Sequence, residues 1–78
     1  VSTELALTLQ EGGSLRVAVY NASGALVRTL VDELSPSGAR TVRWDGADEA
    51  GKGVSSGIYF IMAETDGESQ TRRVGLVR

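Results

Sequence analysis

Apolar and polar residues alternate along most of the chain, and this period of two predicts short β-strands. In residues 3–10 the leucines share one face, and in residues 15–20 leucine and valine share one face. Residues 11–14, Glu-Gly-Gly-Ser, have the composition of a turn. The two strands are therefore predicted to pair as a hairpin. Its apolar side needs a cover, because an isolated hairpin is only marginally stable in water.

A second turn is expected at residues 21–24, where Asn21 can accept hydrogen bonds from the backbone that follows it and Gly24 can take the left-handed conformation. The next stretch, residues 25–34, is ambiguous, since its leucines and valines fit an amphipathic helix as well as a strand. Its β-branched residues favour a strand, and a strand is predicted.

Further strands are predicted at residues 39–44, 57–65 and 68–77, after a Ser-Pro-Ser-Gly break at 35–38. Residues 57–65 are apolar on both faces, which is typical of a central strand with little exposure. Six or seven short strands, with a turn roughly every 8–12 residues, indicate one all-β domain over residues 1–78, a small antiparallel β-sandwich. The side chains predicted to be buried between its sheets are Leu7, Val17, Val19, Leu30, Val42, Trp44, Tyr59, Ile61, Val74 and Leu76.

The composition narrows the possible functions. The 78 residues include no His and no Cys, which excludes disulfides and zinc sites built from those ligands. The net charge is −2 and the basic residues are spread along the chain, which argues against a nucleic-acid partner. No apolar run approaches the roughly 20 residues of a membrane-spanning helix, so no membrane insertion is expected. No cofactor is predicted.

The loop at residues 45–56 has the most distinctive composition, with acidic residues between glycines. Asp45, Asp48 and Glu49 form a weak calcium candidate, because hard cations prefer several carboxylate oxygens at close range. Their spacing lacks the alternating register of an EF-hand loop. The favoured interpretation is that Asp45 and Asp48 accept hydrogen bonds from loop backbone N–H groups, and no metal is predicted.

Two aromatic residues, Trp44 and Tyr59, could stack on sugar rings. Trp44, however, is in phase with Val42 on its predicted strand. An indole also contributes a large buried area. Burial in the core is therefore the favoured interpretation of both rings.

Two carboxylate pairs, Glu64–Asp66 and Asp45–Asp48, have a composition that glycoside cleavage would need. Such chemistry requires a cleft, and a thin sandwich of this length offers little space for one. Neither catalytic nor cofactor-binding residues are predicted.

Residues 17–30, 37–60 and 71–78 resemble the FlgD Ig-like domain family, and the resemblance extends from about Leu5 to Arg78. It rests on a Y-x-x-x-G turn, a W-D-G-x-D segment and an S-G-x-Y segment. The motif positions are Tyr20, Gly24, Trp44, Asp45, Gly46, Asp48, Gly51, Gly57 and Tyr59. The family is named after the flagellar hook-capping protein and is related to the C-terminal sorting domains of type IX secretion substrates.

The resemblance implies an Ig-like or fibronectin-III-like sandwich that forms the C-terminal domain of a longer bacterial protein, secreted or held at the cell surface. Its expected function is non-catalytic: attachment, sorting or spacing through protein–protein contacts. The expected partners are neighbouring domains of the parent protein or a secretion or surface-anchoring machinery, and the isolated domain is expected to be a monomer. The alternatives are a carbohydrate- or polymer-binding module and an assembly domain like that of the hook cap.

Overall fold

The computed structural model describes residues 3–77, which form β-strands joined by turns and loops. Period-two alternation and frequent turn residues account for this all-β content. The strands in chain order are β1 Thr3–Leu9, β2 Gly13–Asn21, β3 Leu26–Ser35, β4 Gly38–Trp44, β5 Gly57–Thr65 and β6 Glu68–Leu76.

The six strands form two antiparallel sheets of unequal width. One contains β1 and β4, and the other has the order β3-β2-β5-β6. The apolar side chains of the two sheets face each other and form the core. The predicted all-β sandwich is therefore confirmed, including the strand at residues 25–34, which the structure places at Leu26–Ser35.

The predicted hairpin of the first two strands is wrong. β1 pairs with β4, with Leu5 opposite Val42, whereas β2 lies between β3 and β5 in the other sheet. Residues 10–12 carry the chain from one sheet to the other. The physical reason is the need for a cover: the leucines of β1 are buried against the apolar side of β2 only when the two strands lie in opposite sheets.

The ambiguous pattern of β3 has a structural cause. The register between β2 and β3 shifts twice, so that Leu30 and Val27 have no residue opposite them on β2. Each extra residue inverts the phase of the alternation, because successive side chains of a strand point to opposite faces. Two inversions within ten residues produce the spacing that also fits a helix.

Most of the predicted core is confirmed. Trp44, Val17 and Val19 are fully buried, and five further predicted side chains are also buried. These are Leu7, Val42, Tyr59, Ile61 and Leu76.

Leu30 and Val74 are only partly buried, although both pack against the core. They lie on β3 and β6, the edges of the wider sheet, and the two-stranded sheet does not fully cover those edges.

β5 occupies a central position between β2 and β6, as predicted, but one of its faces is more exposed than expected. Tyr59, Ile61 and Ala63 are buried in the core. On the opposite face Ile58 is 39% exposed, and Phe60 and Met62 are half-buried. A two-layer sandwich covers only one side of each sheet, so no layer formed by residues 3–77 covers the second apolar face of β5.

Candidate functional site

Side-chain hydrogen bonds organise the W-D-G loop, which we define as residues 45–56. Trp44, the last residue of β4, is buried, and its Nε1–H donates a hydrogen bond of 2.9 Å to the carbonyl oxygen of Ala47. Tyr59, on β5, packs against the indole with ring centroids 5.2 Å apart and an interplanar angle of 61°. Its hydroxyl donates to the carbonyl oxygen of Ser55 at 2.7 Å. The two aromatic rings therefore attach both ends of the loop to the core.

Two aspartates organise the interior of this loop. Asp45 Oδ1 accepts a hydrogen bond from the backbone N–H of Ala47 at 3.1 Å. Asp48 Oδ1 accepts from the N–H groups of Ala50 and Lys52, each at 3.0 Å. These contacts are the hydrogen bonds to loop backbone N–H groups that were predicted for the two aspartates, as in Asx turns.

The loop backbone closes on itself as well. The N–H of Asp48 donates to the Lys52 carbonyl at 2.8 Å, and the N–H of Val54 donates to the Gly46 carbonyl at 2.9 Å. Gly46 and Gly51 have φ values of 79° and 82°, in the left-handed region that glycine adopts without steric cost. The motif glycines at these two positions therefore have a backbone role.

The three carboxylates of the calcium candidate have separate partners. The carboxylate of Glu49 accepts from the backbone N–H of Thr29 on β3 at 3.2 Å, and Asp45 forms an ion pair of 3.3 Å with Arg28. The carboxylate of Asp48 accepts hydrogen bonds from two backbone N–H groups of the loop. The three carboxylates thus face different donors, and within residues 3–77 no group of three or more acidic side chains could hold a metal ion.

The two carboxylates of the Glu64–Asp66 pair, a candidate for glycoside cleavage, contact different side chains. Glu64 lies 3.6 Å from Arg16 across the β2–β5 ladder. Asp66, in the turn between β5 and β6, accepts a hydrogen bond from the hydroxyl of Ser14 at 2.8 Å. Neither contact points the two carboxylates into a common cleft.

The Y-x-x-x-G turn is ordered by Asn21. Its Oδ1 accepts from the N–H and the hydroxyl of Ser23, at 3.1 and 2.7 Å, and from the N–H of Ala25 at 2.9 Å. Gly24 has a φ of 88°, as its predicted left-handed conformation requires. Tyr20 precedes the turn on β2, and Gly57 begins β5 at the far end of the W-D-G loop.

The outer face of the four-stranded sheet presents apolar side chains outside the core. We define the outer sheet face by Tyr20, Leu26, Ile58, Phe60 and Met62. Leu26 is 49% exposed, and the two aromatic residues and the methionine are half-buried. The periodicity of β5, apolar on both sides, indicates this surface, although the same periodicity is also typical of a buried central strand.

Arg16 lies at the polar end of this surface. Its Nη1–H donates to the Tyr20 hydroxyl at 3.0 Å. That hydrogen bond is the main cause of a rise in the pKa of Arg16 above its ordinary value. Burial opposes the rise, and the negative charges of Glu64 and Asp32 add to it to a smaller extent. The guanidinium therefore remains charged at all physiological pH values.

Within residues 3–77 no helix is long and apolar enough to cross a membrane.

Comparison with solved structures gave two informative similarities. FlgD from P. aeruginosa has a TM-score of 0.74 and 25% sequence identity, with 97% of this chain and 61% of that chain covered. Truncated FlgD from Helicobacter pylori has a TM-score of 0.67 and 24% identity, with 95% and 59% covered, and shows the shared fold. This chain thus spans about three fifths of each structure.

A comparison with curated proteins gave no match. The family model of the FlgD Ig-like domain, in contrast, matches residues 2–69, which include the Y-x-x-x-G turn and the entire W-D-G loop. The chain belongs to the FlgD Ig-like domain family.

Proposed function

We propose that residues 1–78 form a non-catalytic accessory domain of an exported bacterial protein. It acts in attachment, sorting or spacing through protein–protein contacts outside the cell or at its surface. The observation that carries the proposal is family membership combined with an outer sheet face that is apolar on a molecule with a thin core.

The use of the polar side chains supports a non-catalytic function. The chain contains no His and no Cys. Asp45 and Asp48 hold the loop backbone, and Glu64 and Asp66 have separate partners. Acid–base or nucleophilic catalysis requires titratable or nucleophilic side chains that converge on one reacting atom. The four carboxylates instead make separate contacts with the backbone or with other side chains of the domain.

The outer sheet face supports contact with another protein. Ile58 and Leu26 expose apolar surface, and Arg16, Glu64 and Asp32 lie beside it. An apolar centre with a charged border is typical of surfaces that bind other proteins. The proposed partners are neighbouring domains of the parent or a secretion or surface-anchoring machinery.

The assembly alternative, a domain like that of the hook cap, is favoured by the same surface, because assembly interfaces are broad and apolar. The carbohydrate-binding alternative has less support. Trp44 and Tyr59, the rings considered for sugar stacking, are buried in the core and attach the W-D-G loop.

The test compares the parent protein with and without residues 1–78 in its native host. We expect the intrinsic activity of the parent to be unchanged in lysate, and the fraction that is exported or retained at the surface to fall. Lost activity with normal localisation would contradict the proposal. If the parent protein is exported normally but the polymer that it helps to assemble does not form, the assembly alternative is favoured. Capture of the isolated domain by an insoluble polysaccharide would favour the carbohydrate alternative.

A pair of matched variants tests the surface itself. Ile58→Lys places a charge on the outer sheet face, whereas Thr41→Lys places one at an exposed position of β4 on the other sheet. We expect the first to reduce export or surface retention and the second to leave both unchanged. Equal effects of the two variants would exclude the outer sheet face as the contact surface.

A further inference from the structure

The unequal width of the two sheets leaves one side of the sandwich open. Within residues 3–77, β1 has β4 as its only hydrogen-bonded neighbour, so the other edge of β1 is unpaired in this part of the chain. On the β3 side, Arg40 of β4 pairs with Glu33 of β3 at 3.4 Å and closes the gap between the sheets. The side between β1 and β6 carries no such contact within residues 3–77 and holds a groove of about 290 Å³.

The lining of this groove combines a backbone edge with an apolar floor. Leu7 and Leu9 of β1, Leu15 of β2 and Ala63 of β5 supply the apolar part. The unpaired edge of β1 supplies alternating N–H and C=O groups, which is the arrangement that another strand binds.

Among the described residues, no strand covers three polar residues on the core-facing side of β6. These residues are Glu68, Gln70 and Arg72, which lie opposite Thr65, Ala63 and Ile61 of β5, respectively. They therefore point to the same side of the sheet as the core-facing side chains of β5. All three are exposed. None of their side chains has a hydrogen bond or an ion pair with a residue between 3 and 77.

β1 itself lacks the features that usually prevent edge-to-edge pairing. Its sequence, T-E-L-A-L-T-L, contains no Lys, no Pro and no bulge, and Glu4 is its one charged residue.

We infer that the free edge of β1 binds an extended segment of a partner protein, which adds to the two-stranded sheet as a third strand and covers the core-facing side of β6. The inference rests on the proposed function and assigns the domain a second contact site, separate from the outer sheet face. Strand addition derives affinity from main-chain hydrogen bonds and specificity from alternate side chains.

The charges of β6 define the side-chain pattern of that partner. Thr3 of β1 pairs with Trp44, whose ring contacts Tyr59. Tyr59 pairs with Val74 near the end of β6, so β1 and β6 run in opposite directions. A segment antiparallel to β1 therefore runs from Glu68 towards Arg72. Its inward-facing residues are a basic residue near Glu68, an apolar residue above Ala63 and an acidic residue near Arg72.

A short peptide with this pattern is the probe. The capped peptide TKTVTDT places Lys, Val and Asp on one face in the expected order, and TDTVTKT has the same composition with the charges exchanged. We expect TKTVTDT to bind residues 1–78 more tightly by NMR titration. On binding, alternate backbone N–H groups of β1, those not bonded to β4, should exchange more slowly with solvent.

Charge reversal on β6 provides the decisive control. Glu68 and Arg72 are exposed, so E68K/R72E should fold normally, which the emission of Trp44 would verify. R72E alone should weaken the binding of TKTVTDT by about three- to tenfold, the range of a partly shielded charge pair. E68K/R72E should prefer TDTVTKT.

Several outcomes would overturn the inference. These are equal binding of the two peptides, shifts confined to the outer sheet face, and self-association of the chain through β1, which would make a second copy the occupant. Each of them leaves the localisation experiment on the parent protein unaffected, so the inference can fail while the proposed function stands.

Discussion

At the residue scale, the stability of the W-D-G loop depends on side chains that bond to the backbone. The Trp44 indole fills the core and also satisfies the carbonyl of Ala47, a buried residue. Asp45 and Asp48 together accept three backbone N–H groups. A loop of this length needs such contacts, because each ordered residue costs conformational entropy.

Replacement of Trp44 tests the core contribution. Trp44→Ala should lower the free energy of unfolding by about 3–5 kcal/mol, because it leaves a large cavity and an unpaired carbonyl. Trp44→Phe, which restores part of the volume but not the N–H donor, should cost less. Urea unfolding followed by circular dichroism measures both, and equal losses would show that volume contributes nothing.

Replacement of Asp45 separates its two contacts. Asp45→Ala should destabilise the domain by roughly 1 kcal/mol, the value of one satisfied hydrogen bond. Asp45→Asn retains an acceptor for the Ala47 N–H and loses only the exposed ion pair with Arg28, so it should cost less.

Calcium binding by the W-D-G loop has a direct test. Calcium at millimolar concentration should leave the melting temperature of the domain unchanged, because Asp45, Asp48 and Glu49 have separate partners. A rise in melting temperature that a chelator reverses would support the calcium interpretation.

At the element scale, local patterns predicted where strands lie but not which strands pair. The Asn21–Gly24 turn and the strand at 57–65 follow from residue chemistry within a few positions. The pairing of β1 with β4 connects Thr3 to Trp44, and no local signal distinguishes it from a hairpin with β2. The two bulges of β3 could not be predicted from the local sequence either, because the register of a strand depends on the strand beside it.

Gly24 offers a test of turn geometry without a change in packing. An added Cβ at Gly24 meets no atom of residues 3–77 within 4 Å, so Gly24→Ala carries only the cost of its φ of 88°. That cost should be about 1–2 kcal/mol. The matched control is Gly75→Ala on β6, where the added Cβ lies 3.9 Å from Ile58 Cδ1 and the backbone is ordinary. The control should be neutral or slightly stabilising. Similar melting temperatures of both variants would show that the turn tolerates Ala.

At the scale of the whole molecule, the two sheets assemble through pairings that are distant in sequence. β1 pairs with β4, and β2 pairs with β5 before the chain returns as β6. Each such contact requires the closure of a long loop. Membership of the family could be predicted from the motifs, whereas the open side of the sandwich could not, because it depends on how many strands each sheet holds.

The topology predicts slow folding. Because non-local strand pairing dominates, refolding should take milliseconds to seconds rather than microseconds. Trp44 is the only tryptophan and is fully buried, so stopped-flow fluorescence reports formation of the core directly. A refolding phase completed in microseconds would contradict this expectation.

The antiparallel relation of β1 and β6 has a mechanical consequence. Thr3 pairs with Trp44, whose ring contacts Tyr59, and Tyr59 pairs with Val74, so the chain enters and leaves the domain at the same end of a molecule 36 Å long. Tension between those two points peels β1 and β6 from their neighbours one hydrogen bond at a time instead of shearing a whole ladder at once. The domain should therefore yield at low force. The groove and the Asp66–Gly67 turn lie at the opposite end of the domain, away from the points at which the force acts.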